Sequence, residues 1–477
     1  MVSGRKVIVY ELNEVPWEIV DAFVQKRPQS ALAGLLRDGA TMTTVVDDLV
    51  PLQPWRTWPT FHTSLNTEEH RSFDLGQDPS TFRGPTLWDV AEDAGRSVGV
   101  WGAMQSWPAR QFKHGGFFVP DTFSSDARTF PESLSRFQEF NLRATKENGF
   151  SSDTSVRPSD LARVGLDLVR LGLTPRSAAT LAGQLIKERR DPRYKGRRAI
   201  MQAPISFDLY WHLQKKQAPD LSIFFTNHVA GMMHRFWGDA APGYAQDQAY
   251  PADPIFGTFV DAAMEQADRQ LARVRRYVGR HPDTLLLVAA SMGQGPIPYY
   301  PERDAFVVEQ PQQLASALGL PPVQTNMAMY PHIALQLPDE SDAMPAAMAL
   351  AAVRRSSGTP LFGDMRVFGS TVSFQVNNSG GAEDGERTLV IGSADGVGPP
   401  EQSLPLDQLG ITVKPRLGGA NTAYHVPQGM ALAWGAGIRP DQSRRQVDIL
   451  DMAPSLLADV LDVPPHPAML GQPGLFA

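Results

Sequence analysis

The stretch VIVYELNE, residues 7–14, is a short apolar run that stops in polar side chains. Its length and its β-branched residues suit a strand buried on both faces, which is the strand type of a parallel sheet. The same design recurs in SVGVWGAM (97–104), LSIFFTNH (221–228), TLLLVAASMGQG (284–295), TLVIGS (388–393) and MALAWGAG (430–437). Longer amphipathic segments lie between these runs. Val15 to Arg37 puts Leu32, Leu35 and Leu36 on one face, Thr86 to Ala94 stops at Gly95, and Phe256 to Val278 carries apolar residues at helical spacing. Strands alternating with helices predict a three-layer α/β/α sandwich around a mostly parallel central sheet. In such a sheet the ligand site lies at the carboxyl ends of the strands.

The chain has 477 residues, enough for one large α/β domain with insertions or for two domains. Basic residues number 44 against 51 acidic ones, a net charge of −7, and no basic stripe is present, so a nucleic-acid polymer is not an expected partner. The absence of cysteine excludes disulfides, thiolate nucleophiles and Cys-ligated zinc. No apolar stretch has the length of a membrane span, and the N-terminus runs into VIVY without the apolar core of a signal peptide, so a cytoplasmic location is expected.

The organisation reads as a core in three parts (1–157, 217–321 and 377–477) with two inserted segments. Residues 158–216 read as a helical insertion over the site, with one dense basic run, KERRDPRYKGRR, that suits a solvated helix end. Residues 322–376, with HIALQLP and MRVFGSTVSFQV, suit a small α+β subdomain.

The polar ends of the runs carry the candidate chemistry. FFTNHVAGMMHRFW (224–237) sets His228 and His234 six residues apart with no carboxylate between them, and Asn227 stands beside the first. Strand alternation puts Glu11 and Asn13 on one face, with Glu14 just beyond.

Several stretches, in order, resemble the alkaline phosphatase superfamily, most closely its type I phosphodiesterase/nucleotide pyrophosphatase branch: KVIVYELNE, WPTFHTSLNTEEH, PTLWDVAEDAGRSVGVWG, MMHRFW, NTAYHVPQGMALAWGAGI and the closing DILDMAPSLLADVLDVPPHPAMLGQP. That resemblance implies a phosphoryl or sulfuryl ester as substrate, such as a nucleotide or nucleotide-sugar, and two metal ions, usually zinc, beside a Thr or Ser nucleophile. Most of the implied ligands are altered. Asn13 stands at the first aspartate, Ala230 at the aspartate before His234, and Ser291-Met292-Gly293-Gln294 at a Ser-Asp-His-Gly segment; His234 and His425 remain. The nucleophile falls on Pro54 or Thr57 according to register.

Three readings follow. One zinc or manganese ion would be held by His228, His234 and His425 with Glu11 or Glu14 as carboxylate. Alternatively, without metal, His234 and His425 would serve as general acid and base. Thr57 would then be nucleophile with His62 as its base, Asn13, Arg56 and Gln294 would bind oxygens, and Trp55 would stack on a sugar or base. The third reading is a non-catalytic binding protein on the same scaffold.

Overall fold

The computed structural model describes residues 5–47, 51–75, 77–150, 165, 167–241, 243–299, 305–326, 328, 332–378, 386–392, 401–414 and 422–477. The strands before the small domain are β1 (Lys6–Leu12), β2 (Ala40–Val45), β3 (Val98–Trp101), β4 (Gly116–Val119), β5 (Leu221–Thr226), β6 (Thr284–Ala289) and β7 (Gly293–Pro296). Next come β8 (Ala305–Val308), β9 (Gln324–Asn326), β10 (His332–Gln336), β11 (Phe362–Phe368) and β12 (Thr371–Val376). The last are β13 (Thr388–Ile391), β14 (Gln402–Pro405), β15 (Ile411–Lys414), β16 (Ala423–Val426), β17 (Gln428–Gly435) and β18 (Asp441–Asp448).

Eight of them make one sheet in the order β18-β2-β17-β6-β1-β5-β3-β4. From β6 to β4 every pairing is parallel, and β17 runs antiparallel to both of its neighbours, β6 and β2. The apolar runs become this sheet as expected, with one exception. TLVIGS forms β13, which pairs with β14 in a separate two-stranded ribbon outside the sheet.

Alternation along β1 divides the core into two layers. Ile8, Tyr10 and Leu12 pack with helices Trp17–Lys26, Ala31–Asp38, Gln202–Gln217, His228–Ala240 and Phe259–Val278. Val7 and Val9 face the helix Pro54–Thr63 and the C-terminal residues Met452 to Val460. With apolar burial on both faces, each enclosed Val, Leu or Phe contributes roughly 1.5–3 kcal/mol, so the strand interiors hold the sandwich together. The stretch expected as one helix over Val15 to Arg37 is two, because the turn at Arg27 to Ser30 starts a second helix with Ser30 Oγ accepting from Ala33 N–H at 3.2 Å.

In the helical segment the described part folds as Pro175–Arg190, a 3-10 stretch Pro192–Met201 and Gln202–Gln217; residues 158–164 and 166 lie outside the described residues. The basic run is paired locally, Arg193 with Asp191 and Asp253 and Arg198 with Glu188. The four-stranded sheet β11-β12-β10-β9 and helix Ala343–Ala351 form the small α+β unit, whose separate apolar core runs from Phe306 to Ile411, wider than residues 322–376. No helix among the described residues is long and apolar enough to cross a membrane.

Candidate metal centre

β1 ends at Leu12, and the backbone at Glu14 turns into the left-handed region (φ 60°), which non-glycine residues adopt rarely and at a cost of order 1–3 kcal/mol. The turn carries the Glu14 carboxylate to a place between two imidazoles. Glu14 Oε2 lies 3.0 Å from His234 Nε2 and 3.4 Å from His425 Nε2. His234 comes from the second turn of helix His228–Ala240, and His425 from β16, which pairs with β7 so that His425 stands opposite Gln294. Gln294 Nε2 donates to Glu14 Oε2 at 2.5 Å and to Ala230 O at 3.2 Å.

The far side of each ring is fixed by the main chain. Nδ1 of His234 lies 3.0 Å from Ala423 O, and Nδ1 of His425 lies 2.8 Å from Leu52 O. A carbonyl can only accept, so both Nδ1 atoms carry the proton and both Nε2 atoms point at the carboxylate. In the absence of a cation, the His234 Nε2 faces the carboxylate favourably as N–H, at 3.0 Å. The electrostatics agree. Burial alone would raise the Glu14 pKa, but the charges and hydrogen bonds of His425 and His234 hold it well below the usual carboxylate range. His234 is pushed down by burial and raised further by Glu14, ending above its ordinary value.

Asn13 serves the carboxylate. Its Nδ2 donates to Glu14 Oε1 at 2.8 Å and to Asn227 Oδ1 at 2.7 Å, and its Oδ1 accepts from Trp58 Nε1 at 2.7 Å. Both amide hydrogens and the oxygen are engaged, so Asn13 positions Glu14 rather than offering its amide oxygen to a cation.

Two residues expected as ligands lie elsewhere. Glu11 shares the face of Asn13 as alternation requires, but it points under the helix Pro54–Thr63, where its Oε1 lies 2.6 Å from His62 Nε2 and both side chains are buried. His228 is turned into the core. Its Nε2 donates to Ala263 O at 3.0 Å and its Nδ1 accepts from Thr226 Oγ1 at 2.8 Å, and burial lowers its pKa to about 4, so it stays neutral.

The acid-base pair drawn from Thr57 and His62 does not form. Thr57 Oγ1 is buried and 2.7 Å from Ser291 Oγ, while His62 is engaged with Glu11. Arg56 is also tied inward, Nε to Phe73 O and Nη1 to Pro51 O, each at 2.8 Å, with Nη2 3.9 Å from Asp364 of β11. Trp55 donates Nε1 to Phe73 O at 2.9 Å and meets His332 edge-on, so it walls the site instead of offering a face.

The resemblance implies metal, and the donors fit one ion. Glu14, His234 and His425 form the one group of three such donors among the described residues whose ligand atoms all lie within 4.8 Å of one another. Backbone carbonyls on both Nδ1 atoms are the usual outer support of metal-binding histidines. In addition Gln294 Oε1 is buried beside them with no hydrogen-bond partner, an acceptor left for a cation or its water. A second ion has no comparable donor set among the described residues.

No family model matches the chain, and no curated protein matches it either. Solved structures do. Murine ectonucleotide pyrophosphatase/phosphodiesterase 5, solved as an inactive variant in complex with AMP, is 11% identical with a TM-score of 0.46, covering 97% of this chain and 96% of that one. Its human counterpart is 10% identical with a TM-score of 0.45, covering 99% and 98%. The alkaline phosphatase PafA is 11% identical with a TM-score of 0.48, covering 100% and 99%.

Signals for part of this arrangement were present in the chain. Six residues of α-helix turn through roughly 600°, leaving His228 and His234 about 120° apart and unable to share a ligand. Thr57 and His62, five apart, are separated by about 140° in the same way. The left-handed turn that brings in Glu14 has no such signal, since no glycine or asparagine marks that position.

Proposed function

We propose that the chain is an enzyme that hydrolyses or transfers a phosphoryl group, or a sulfuryl group, of a small-molecule ester, using a single zinc or manganese ion. The observation that supports it most is the convergence of two imidazole Nε2 atoms, each oriented by a carbonyl on Nδ1, upon Glu14 beside the unpartnered Gln294 Oε1. Glu14, His234 and His425 would hold the ion, which supplies a Lewis acid for a nonbridging oxygen and a more acidic water.

The chain's own groups do the rest. Asn13, locked by Trp58, holds the Glu14 carboxylate in place, and Gln294 steadies its second oxygen. The Ala423 and Leu52 carbonyls keep both imidazoles in the tautomer that presents Nε2. With Thr57 buried against Ser291 and without a base, water is the nucleophile this site favours, which makes direct hydrolysis the leading reaction. A nucleotide or nucleotide-sugar phosphodiester is the substrate class that the sequence resemblance suggests.

Elemental analysis of the purified protein beside Glu14→Gln and His234→Ala tests the reading, with bis(p-nitrophenyl) phosphate, p-nitrophenyl phosphate and p-nitrophenyl sulfate as substrates. About one ion per chain is expected, with metal content and turnover both falling at least tenfold in each variant, in line with loss of a first ligand. Full hydrolysis by a chelator-treated protein, or a variant that keeps both metal and activity, would refute it.

A further inference from the structure

A second concavity adjoins the metal centre at the carboxyl ends of β3, β4 and β5. It has a volume of about 170 Å³ and is roofed by residues of helices Ser135–Phe150 and Gln202–Gln217. Trp101 and Phe225 contribute apolar wall, and Asp121, Gln138, Asn227 and Arg235 contribute polar groups.

Three of these polar groups have unused hydrogen-bonding capacity. Arg235 follows His234 on its helix, about 100° further round, and lines this cavity. Its Nε donates to Gly231 O at 3.1 Å, and no acceptor among the described residues meets its two terminal nitrogens. Asp121 is no counterion, since its oxygens accept backbone N–H groups, from Gln105 after β3 and from Phe123 of its own loop, at 2.7 Å each. Asn227 uses Oδ1 to accept from Asn13, which leaves its amide N–H groups for the cavity. Gln138 is wholly buried, donates Nε2 to Asp121 O at 2.7 Å and Pro120 O at 3.3 Å, and has an Oε1 with no partner. A half-buried guanidinium without an anion and a buried carbonyl oxygen without a donor are both costly to leave unmatched.

We propose that this cavity is a ligand site for a hydroxylated oxyanion, a phosphorylated or carboxylated polyol of sugar-phosphate type. Arg235 and Asn227 bind the anionic oxygens, Gln138 Oε1 accepts from a hydroxyl, and Trp101 lies along the carbon skeleton. The fork of a guanidinium matches two oxygens of one phosphate or carboxylate. The site stands whether or not the neighbouring cluster holds an ion, and Asn227 joins the two through Asn13.

Calorimetric titration of the full chain with glycerol 3-phosphate, inorganic phosphate and glycerol tests it. Glycerol 3-phosphate binds the wild type and His234→Ala with dissociation constants within about threefold of each other, and glycerol does not bind. Arg235→Gln weakens glycerol 3-phosphate at least tenfold, a loss of about 1.4 kcal/mol or more. Arg235→Lys, which keeps the charge but not the fork, weakens it less, and Gln138→Leu weakens glycerol 3-phosphate while sparing inorganic phosphate. Thermal unfolding of each variant identifies any that fails to fold, and Arg235→Lys then carries the comparison. The proposal is overturned if the wild type binds neither anion at about 10 mM, if both Arg235 variants bind as the wild type does, or if His234→Ala abolishes binding, which would place the anion at the metal centre.

Discussion

At the scale of single residues, the contrast between His228 and His234 shows how position overrides residue type. His228 must be neutral, because its ring is enclosed with one nitrogen donating to a carbonyl and the other accepting from a hydroxyl. Its pKa falls from 6.5 to about 4, so between those values the unfolded chain binds a proton that the folded chain refuses. Stability from this residue is therefore full above pH 6.5 and is lost as pH falls toward 4, by about 3 kcal/mol in all. Urea unfolding at pH 7.5 and pH 4.5 should show a smaller acid loss in His228→Gln than in the wild type, whatever the other acidic groups contribute to both. Equal losses would mean the ring is not enclosed. The sequence showed both histidines but not their directions, which helical spacing alone could have separated. Glu14 stood in the sequence as the alternative to Glu11, and nothing local chose between them, because a left-handed backbone at a glutamate is imposed by tertiary packing and leaves no trace in local propensity.

At the scale of elements, the helix Pro54–Thr63 is fastened to β1 by two side-chain contacts from one face, Trp58 to Asn13 and His62 to Glu11. Removing one member of an enclosed polar pair strands the other, whereas replacing both with apolar groups of similar size need not be costly. Glu11→Leu and His62→Leu should each destabilise by roughly 2–4 kcal/mol, and the double variant by clearly less than their sum. A double-mutant cycle from unfolding titrations reads this directly; additive losses would show that the pair does not act as a unit. Metal content should be unchanged in Glu11→Leu, which distinguishes this residue from Glu14. Period and length make the strands legible, and alternation puts Glu11 with Asn13, both of which meet the helix Pro54–Thr63. What period cannot show is depth along the strand, and two residues of depth separate a helix anchor from the rim of the site.

At the scale of the whole molecule, the small α+β unit leans on the wall of the site. Phe368 stacks on Phe73 at 5.5 Å between ring centres, Arg366 lies over the same ring, and Asp364 faces Arg56 and His332. The His332 hydrogen bond, with Arg366 and Arg56 nearby, holds Asp364 at a pKa of about 2 despite partial burial. Asp364→Ala combined with Phe368→Ala should raise hydrogen exchange across residues 332–376 while leaving metal content intact; unchanged exchange would show that the unit is held by other contacts. The fold class was legible because each apolar run carries its own period. The partnership of His425 with Gln294 was not, because a hairpin-like pairing across more than a hundred residues depends on where the small unit exits and re-enters the sheet.

The position of β17 has a consequence for how the molecule is made. β2 is synthesised early, yet its only neighbours in the sheet are β17 and β18, near the C-terminus. During translation β2 and the outer edge of β6 must therefore wait, unpaired, for almost the whole chain to leave the ribosome. His425 arrives just ahead of β17, so the nascent protein acquires the third donor of the candidate metal centre and its sealed sheet in the same final step. A chain truncated shortly before that point would have exposed strand edges that invite aggregation, and no complete centre to load.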